Sequence, residues 1–322
     1  MTVEKGVMCP EAFFEELKHK PQKRYAFVLG NGINYHLGNN AVSWNELLGN
    51  FIREHHNEFA SILNGKDIAN TEVVNLLEFL IEGDSDDKKD SAEKRNELMD
   101  FLNEHLNFCE RKKSAMLDRA WEKHHILTTN FDGNIEEYIA SATGRRTKRC
   151  RAEAGNDAEK VNSNGFYPWN RFWGWADCPK EKDPLDHHNT IWHIHGKTDT
   201  TSSLSVLFSL TRYVKAIKRV VEWKQPSEPN WPGRNTWVNI FYNAPLIIAG
   251  LGLTNQEVFL RTLLIERKRY WKKKGGEPQS YYLVRKSADG KEESDGRMFL
   301  RALGFKVVEF DNAEELYDSK NW

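Results

Sequence analysis

Three stretches far apart in the chain each carry a hydrophobic run into glycine or a small polar residue. They are Phe27-Val28-Leu29-Gly30-Asn31-Gly32-Ile33-Asn34, Ile126-Leu127-Thr128-Thr129-Asn130-Phe131-Asp132 and Ile191-Trp192-His193-Ile194-His195-Gly196. Short apolar runs stopped by such residues read as buried strands. In an open parallel α/β sheet, ligands bind beyond the carboxyl ends of the strands. Gly30, Gly32, Asn34, Asn130, Asp132 and His195 are therefore expected to share one crevice.

Around these stretches the apolar spacing switches between strand and helix. Residues 10–20 read as a helix through Phe13, Phe14 and Leu17, and Arg24 to Leu29 as a strand. Ser43 reads as an N-cap with Glu46 completing a capping box, opening a helix with the face Trp44, Leu47, Leu48, Phe51. From about 56 to 123 the spacing is helical, as in Val73, Leu76, Leu77 and Leu80, and is broken by the charged run 83–89; this reads as a long helical insertion. A strand at 125–129 and a helix at 134–141 follow. Residues 144–188 have no clear periodicity. They are basic at first (Arg145, Arg146, Lys148, Arg149, Arg151), then aromatic and Pro-rich (Phe166, Tyr167, Pro168, Trp169, Phe172, Trp173, Trp175), and are expected to form a mobile insertion over the sheet face. Strands at 190–194, 204–208, 246–249, 281–284 and 305–310 then alternate with helices at 211–223, 237–242, 255–271 and 313–317. Such alternation predicts a Rossmann-like α/β fold, a parallel sheet with helices on both faces. One domain spanning 1–322, carrying the two insertions, is the expected organisation.

At the first strand end, Gly30-Asn31-Gly32 lets backbone approach a diphosphate with no Cβ in the way, although glycine also serves any tight turn. The dinucleotide fingerprint wants a third glycine at 35, where Tyr35 stands, so hydride transfer is poorly supported. A second strand ending in Gly250-Leu251-Gly252 would let one nucleotide be gripped from two strand ends. Asn130 and Asp132 put an amide and a carboxylate on a strand-to-helix turn, where the plain alternative is that they cap the next helix. His195 follows a strand and precedes Gly196; a strand-end histidine is ordinarily just a hydrogen-bonded group. His193 alternates with His195 on one strand face, the spacing of a metal pair, but no third ligand is near and catalytic zinc takes three protein ligands. His124 with His125, and His187 with His188, point opposite ways if extended.

The composition, 39% hydrophobic and 29% charged, is that of a globular protein. A formal net charge of -1 gives no global field for nucleic acid or anionic membrane, so neither is an expected partner. No apolar run approaches the ~20 residues needed to span a bilayer. Met1 to Lys20 lacks the apolar region of a signal peptide, which leads to the expectation of a cytoplasmic protein. Cys9, Cys109, Cys150 and Cys178 stand singly; without a CxxC pair, neither a structural zinc nor a disulfide framework is expected.

Taken in order, these motifs resemble the sirtuin-like NAD-consuming fold, and within it the zinc-free bacterial branch of NAD-hydrolysing antiphage defence effectors. That family's opening Gly-Ala-Gly-Ile-Ser is matched by Gly30-Asn31-Gly32-Ile33-Asn34, its Thr-Gln-Asn-x-Asp by Thr128-Thr129-Asn130-Phe131-Asp132, and its Leu-His-Gly by Ile194-His195-Gly196. The bacterial strand followed by Ser or Thr, then Tyr, is matched by Phe208-Ser209 and Tyr213. The late Gly-Tyr-Ser-Leu-x-Asp is matched by Gly250-Leu251-Gly252-Leu253-Thr254-Asn255, and the closing strand by Leu303-Gly304-Phe305-Lys306-Val307. The four zinc cysteines of the deacylases have no counterpart, which argues against protein deacylation. Asn34 stands for the family's Ser, and Gly252 and Asn255 for its late Ser and Asp; these changes touch the adenosine-side and ribose contacts more than the chemistry.

The resemblance implies hydrolysis of NAD to nicotinamide and ADP-ribose through an oxocarbenium-like centre, by a toxic effector that empties the NAD pool. On it, Asn130 would orient the ribose and water, and Asp132 would hold the nicotinamide amide. His195 would accept a proton from water or a ribose hydroxyl, a task suited to a pKa near neutrality. Gly30, Asn31, Gly32, Asn34, Thr129, Ser209, Gly250, Gly252 and Asn255 would bind the rest of NAD. A homo-oligomer kept silent until triggered is implied as well, with a separately encoded motor-type ATPase as leading partner. Trp169, Arg171, Trp173 and Trp175 offer interface chemistry for that role, or fold back as a lid or local core. The alternative is a non-catalytic subunit that senses an NAD-type or ADP-ribose-type nucleotide or serves assembly. The presence of both Asn130 and His195 favours the enzyme.

Overall fold

The computed structural model describes residues 7–20, 23–38, 43–55, 97–98, 100–102, 104–105, 112–151, 171–175, 184–186, 189–198, 210–223, 231–254, 257–286 and 295–322. Among these, nine strands form one sheet: Val7–Met8 (β1), Ala26–Leu29 (β2), His125–Thr128 (β3), Lys148–Arg151 (β4), Arg171–Gly174 (β5), Thr190–His193 (β6), Leu246–Ala249 (β7), Tyr281–Arg285 (β8) and Lys306–Phe310 (β9). Their order is β1-β9-β8-β7-β2-β3-β6-β5-β4. Pairing is parallel from β1 across to β6 and antiparallel at β5 and β4. The helices are Pro10–Lys18 (α1), Gly32–Leu37 (α2), Trp44–His55 (α3), Ala115–Lys123 (α4), Asn134–Thr143 (α5), Leu210–Glu222 (α6), Trp237–Asn243 (α7), Val258–Lys274 (α8), Asp295–Ala302 (α9) and Ala313–Asp318 (α10).

Successive strand residues face opposite sides, and both sides are covered. Phe27 and Leu29 pack with Phe13 of α1, Trp121 of α4, Ile139 of α5 and Leu316 of α10. Ala26 and Val28 pack with Val220 of α6, Phe241 of α7, Phe259 of α8 and Leu300 of α9. This double cover is why the central strands read as unbroken apolar runs rather than alternating ones. Each fully buried Leu, Ile or Phe is worth about 1.5–3 kcal/mol, so four-residue strands are held by packing more than by propensity. Helix starts are set by local polar side chains. Ser114 Oγ accepts from Leu117 N at 3.3 Å, Asn312 Oδ1 from Glu315 N at 2.8 Å and Thr236 Oγ1 from Val238 N at 3.2 Å. Ser43 Oγ accepts from Glu46 N at 3.2 Å, in keeping with the capping reading.

The described part of 144–188 is not an insertion over the sheet face. β5 pairs with β6, and β4 with β5, so the segment extends the sheet at its edge. Its apolar pattern was unreadable because adjacent Phe172 and Trp173 serve opposite faces. The basic residues of β4 suit an edge strand, which charge protects from further pairing. β1, α2 and α9 also form without a clear period in their short sequences. The helix expected at 255–271 begins at Val258 and runs to Lys274. Most of the expected 56–123 insertion, the strand expected at 204–208, and Cys109, Cys178, Trp169, His187 and His188 lie outside the described residues. Among the described residues, no helix is long and apolar enough to cross a membrane.

Candidate active site

Four strand ends meet at the carboxyl edge of the sheet. Leu29 of β2 pairs in register with Thr128 of β3 and Ala249 of β7, and Thr128 pairs with His193 of β6. Chain order reverses between β2 and β7, the switch point at which open α/β sheets bind ligands. Gly30, Asn31, Gly32, Asn34, Thr129, Asn130, Asp132, His195, Gly250 and Gly252 all lie just beyond these ends. Ser209 and Asn255 lie outside the described residues.

The glycines let the two switch-point turns touch. Gly30 N donates to Ala249 O at 3.0 Å and Gly32 N to Gly250 O at 2.9 Å. A Cβ on Gly30 would sit 2.4 Å from Leu251 Cδ2; one on Gly32 would sit 2.5 Å from Gly250 Cα and 2.9 Å from Tyr317 Oη. Gly250 holds φ +69°, a left-handed conformation that glycine adopts without penalty. Gly252 is exposed, and a Cβ there would meet nothing closer than Thr254 Cγ2 at 3.8 Å.

Asn34, on the first turns of α2, ties the β2 end to the β3 end. Its Nδ2 donates to Asp132 Oδ2 at 2.7 Å and to Asn31 Oδ1 at 3.0 Å. Two acceptors on one nitrogen fix the amide's orientation and leave Oδ1 buried with no hydrogen-bond partner among the described residues. Asp132 has two roles. Oδ1 accepts from Asn134 N at 2.9 Å and so helps to start α5, while Oδ2 receives Asn34. Burial pushes its carboxyl above the ordinary value, against the pull of those two donors. Thr129 N donates to Leu29 O at 2.9 Å. Asn130 is buried; its N–H bonds Thr128 Oγ1 at 3.1 Å and its Nδ2 reaches Gly30 O at 3.3 Å.

His195 and His193 do not share a face. β6 ends at His193, Gly196 takes φ +88°, and Gly196 N donates back to His193 O at 3.1 Å. That turn delivers His195 to Phe131, Tyr213 and Phe259, with ring centroids at 5.9, 5.3 and 5.5 Å. His193 instead packs T-shaped against Trp173, with ring centroids 4.8 Å apart. The spacing of a metal pair therefore does not survive folding. His195 is 4% exposed, and its Nε2 is buried with no hydrogen-bond partner among the described residues. Burial lowers its pKa to about 3, so the ring is a neutral base at physiological pH.

Beneath Asn130 lies a charged cluster. Glu136 Oε1 accepts from His193 Nε2 at 2.8 Å and Lys197 Nζ at 2.6 Å, while His193 Nδ1 lies 2.7 Å from Asn130 O. Burial raises the Glu136 carboxyl, but Lys197 and His193 outweigh it and hold it at about 2. Sequence reasoning missed Glu136 and Lys197, although Glu136 stands four residues after Asp132. Phe259 and Tyr317 carry no local signal; only the fold brings them to the site. Among the described residues, no group of three or more His, Cys, Asp or Glu is placed to hold a metal ion.

A family model described as a SIR2-like domain matches residues 124–308, more than half of the chain. No curated protein matches the chain.

Proposed function

The chain belongs to the SIR2-like family, and on that premise we propose that it is an NAD hydrolase, the toxic effector of a bacterial antiphage defence system that depletes NAD. The observation that carries this reading is the buried Nε2 of His195, which has no hydrogen-bond partner among the described residues and lies beyond the end of β6, the strand adjacent to β3, past whose end Asn130 stands. An unsatisfied buried nitrogen costs about 1–3 kcal/mol, a cost that makes sense where substrate supplies the partner. Asn34 Oδ1 is a second such atom and offers a buried acceptor to an amide or hydroxyl.

In this reading His195 takes a proton from water or a ribose hydroxyl; burial keeps its ring in the neutral base form, at a pKa of about 3 rather than the near-neutral value expected from the sequence. Asn130 orients the ribose and water, and its own direction is set by Gly30 O and His193. Asp132 and Asn34 form the pair that meets the nicotinamide end. The substrate supplies a good leaving group, because bound nicotinamide already carries positive charge. Phe131, Tyr213 and Phe259 keep bulk water from the ring of His195. The glycine turns at 30–32 and 250–252 take the diphosphate side, with Thr129, Ser209 and Asn255 completing the binding set. The reaction uses no zinc. The unit is one domain over 1–322, working in the cytoplasm as an oligomer, with a motor-type ATPase as the partner that triggers it.

Purified protein incubated with NAD should release nicotinamide. Asn130→Ala and His195→Ala should each fold and lose at least ~100-fold of that activity, the low end for a positioned acid–base group. Wild-type turnover in His195→Ala overturns the assignment. Tight NAD binding without nicotinamide release would instead support the sensing alternative.

A further inference from the structure

Behind Asn130, on the sheet face away from His195, the proposed reaction leaves a set of buried charges unused. His193 bonds Asn130 O through Nδ1 at 2.7 Å and Glu136 Oε1 through Nε2 at 2.8 Å. A backbone carbonyl only accepts, and so does a carboxylate, the form that Lys197 Nζ at 2.6 Å favours for Glu136. With an acceptor facing each, both ring nitrogens are placed to donate, the arrangement of a doubly protonated ring. Glu136 is its counter-ion. Lys197 Nζ shares Oε1 at 2.6 Å and lies 4.9 Å from the centre of the Trp173 ring, which packs T-shaped with His193. Asp132 is the other acid that acts on this group.

Asn130 lies past the last ladder pair of β3 with β6, Thr128 with His193, so the sheet offers its carbonyl no donor. The charged ring provides one, and a charge-assisted bond of this kind is about twice as strong as a neutral one. We propose that His193 is a positioning residue for the NAD-cleaving site: held by Glu136, its ring pins the Asn130 peptide and so sets the direction of the Asn130 side chain. The inference rests on the reading of Asn130 as a site residue. In this reading His193 acts through Asn130 and not on the substrate.

The test uses the full-length protein labelled with nitrogen-15 at histidine. His193 should show two protonated ring nitrogens, and His195 the single-proton pattern of a neutral ring. Glu136→Gln, a near-isosteric change, should turn His193 into a one-proton ring. In nicotinamide release, Glu136→Gln and His193→Phe should lose ~100-fold in kcat, the scale of ~1 Å misplacement, with KM for NAD changed by less than about threefold. His193→Gln, which keeps one donor, should recover part of the loss. A one-proton His193 in the wild type overturns the proposal, as does an unchanged kcat in folded His193→Phe. If His193→Phe does not fold, Glu136→Gln decides between the same outcomes. A wild-type protein that releases no nicotinamide would defeat the NAD-hydrolase reading, and the ring spectrum would still decide whether His193 holds Asn130 as a charged donor.

Discussion

Replacing His195 by leucine should remove activity and strengthen the fold, most visibly at acid pH. The ring is 4% exposed, its Nε2 has no hydrogen-bond partner among the described residues, and burial lowers its pKa from 6.5 to about 3. Since the folded value lies below the unfolded one, the unfolded chain takes the proton first as pH falls. His195 therefore subtracts stability progressively from about pH 6.5 down to about pH 3, and almost nothing above pH 7. At pH 5 the unfolded ring is almost fully protonated and the folded ring almost neutral, a difference of about 2 kcal/mol. Leucine removes that penalty, and it also removes the unsatisfied nitrogen, worth about 1–3 kcal/mol at any pH. It gives up ring contacts with Phe131, Tyr213 and Phe259, at about 0.5–1.5 kcal/mol for each aromatic pair. The pH-independent terms thus come close to cancelling, while the acid gain of about 2 kcal/mol remains. Urea unfolding of parent and variant at pH 8 and pH 5, with nicotinamide release measured alongside, reads both effects. An equal stability difference at the two pH values would refute the picture of a neutral buried ring.

The same lowered pKa bears on catalysis: kcat/KM for NAD should stay level from about pH 8 to about pH 5.5, because the free enzyme keeps its base form. A limb centred near the ordinary histidine value would show that His195 is not the base, or is not buried in the free enzyme. Gly32→Ala should destabilise by about 1–3 kcal/mol through overpacking and weaken NAD binding, since its Cβ would meet Gly250 Cα at 2.5 Å; an unchanged urea midpoint counts against the touching turns. Metal analysis of purified, active protein should find no stoichiometric zinc, and one zinc per chain would reopen the deacylase reading.

Much of the fold was legible because a strand covered on both faces must be apolar throughout. Val28, Leu127, Ile191 and Ile247 declare buried strands wherever their partners sit, and the polar residue that stops each run marks the carboxyl edge. The order of those stops was enough to propose one shared crevice. At the edge itself local pattern lost its authority. Glycine at 30 and 32 admits either a ligand or another turn, and only the approach of Gly250 shows which neighbour fills the missing Cβ. Period-two alternation placed His193 and His195 together, but alternation holds only while the strand lasts. β6 stops at His193, and a left-handed Gly196 sends the next ring across the sheet to Phe259, 64 residues further along the chain. Along the chain Glu136 is only an acid in the first turn of α5; in the fold His193 and Lys197 close on it. Burial and backbone direction were set by side-chain chemistry along the chain. Which groups face the two nitrogens of His193, and the burial that lowers the pKa of His195, depend on contacts between segments distant in sequence.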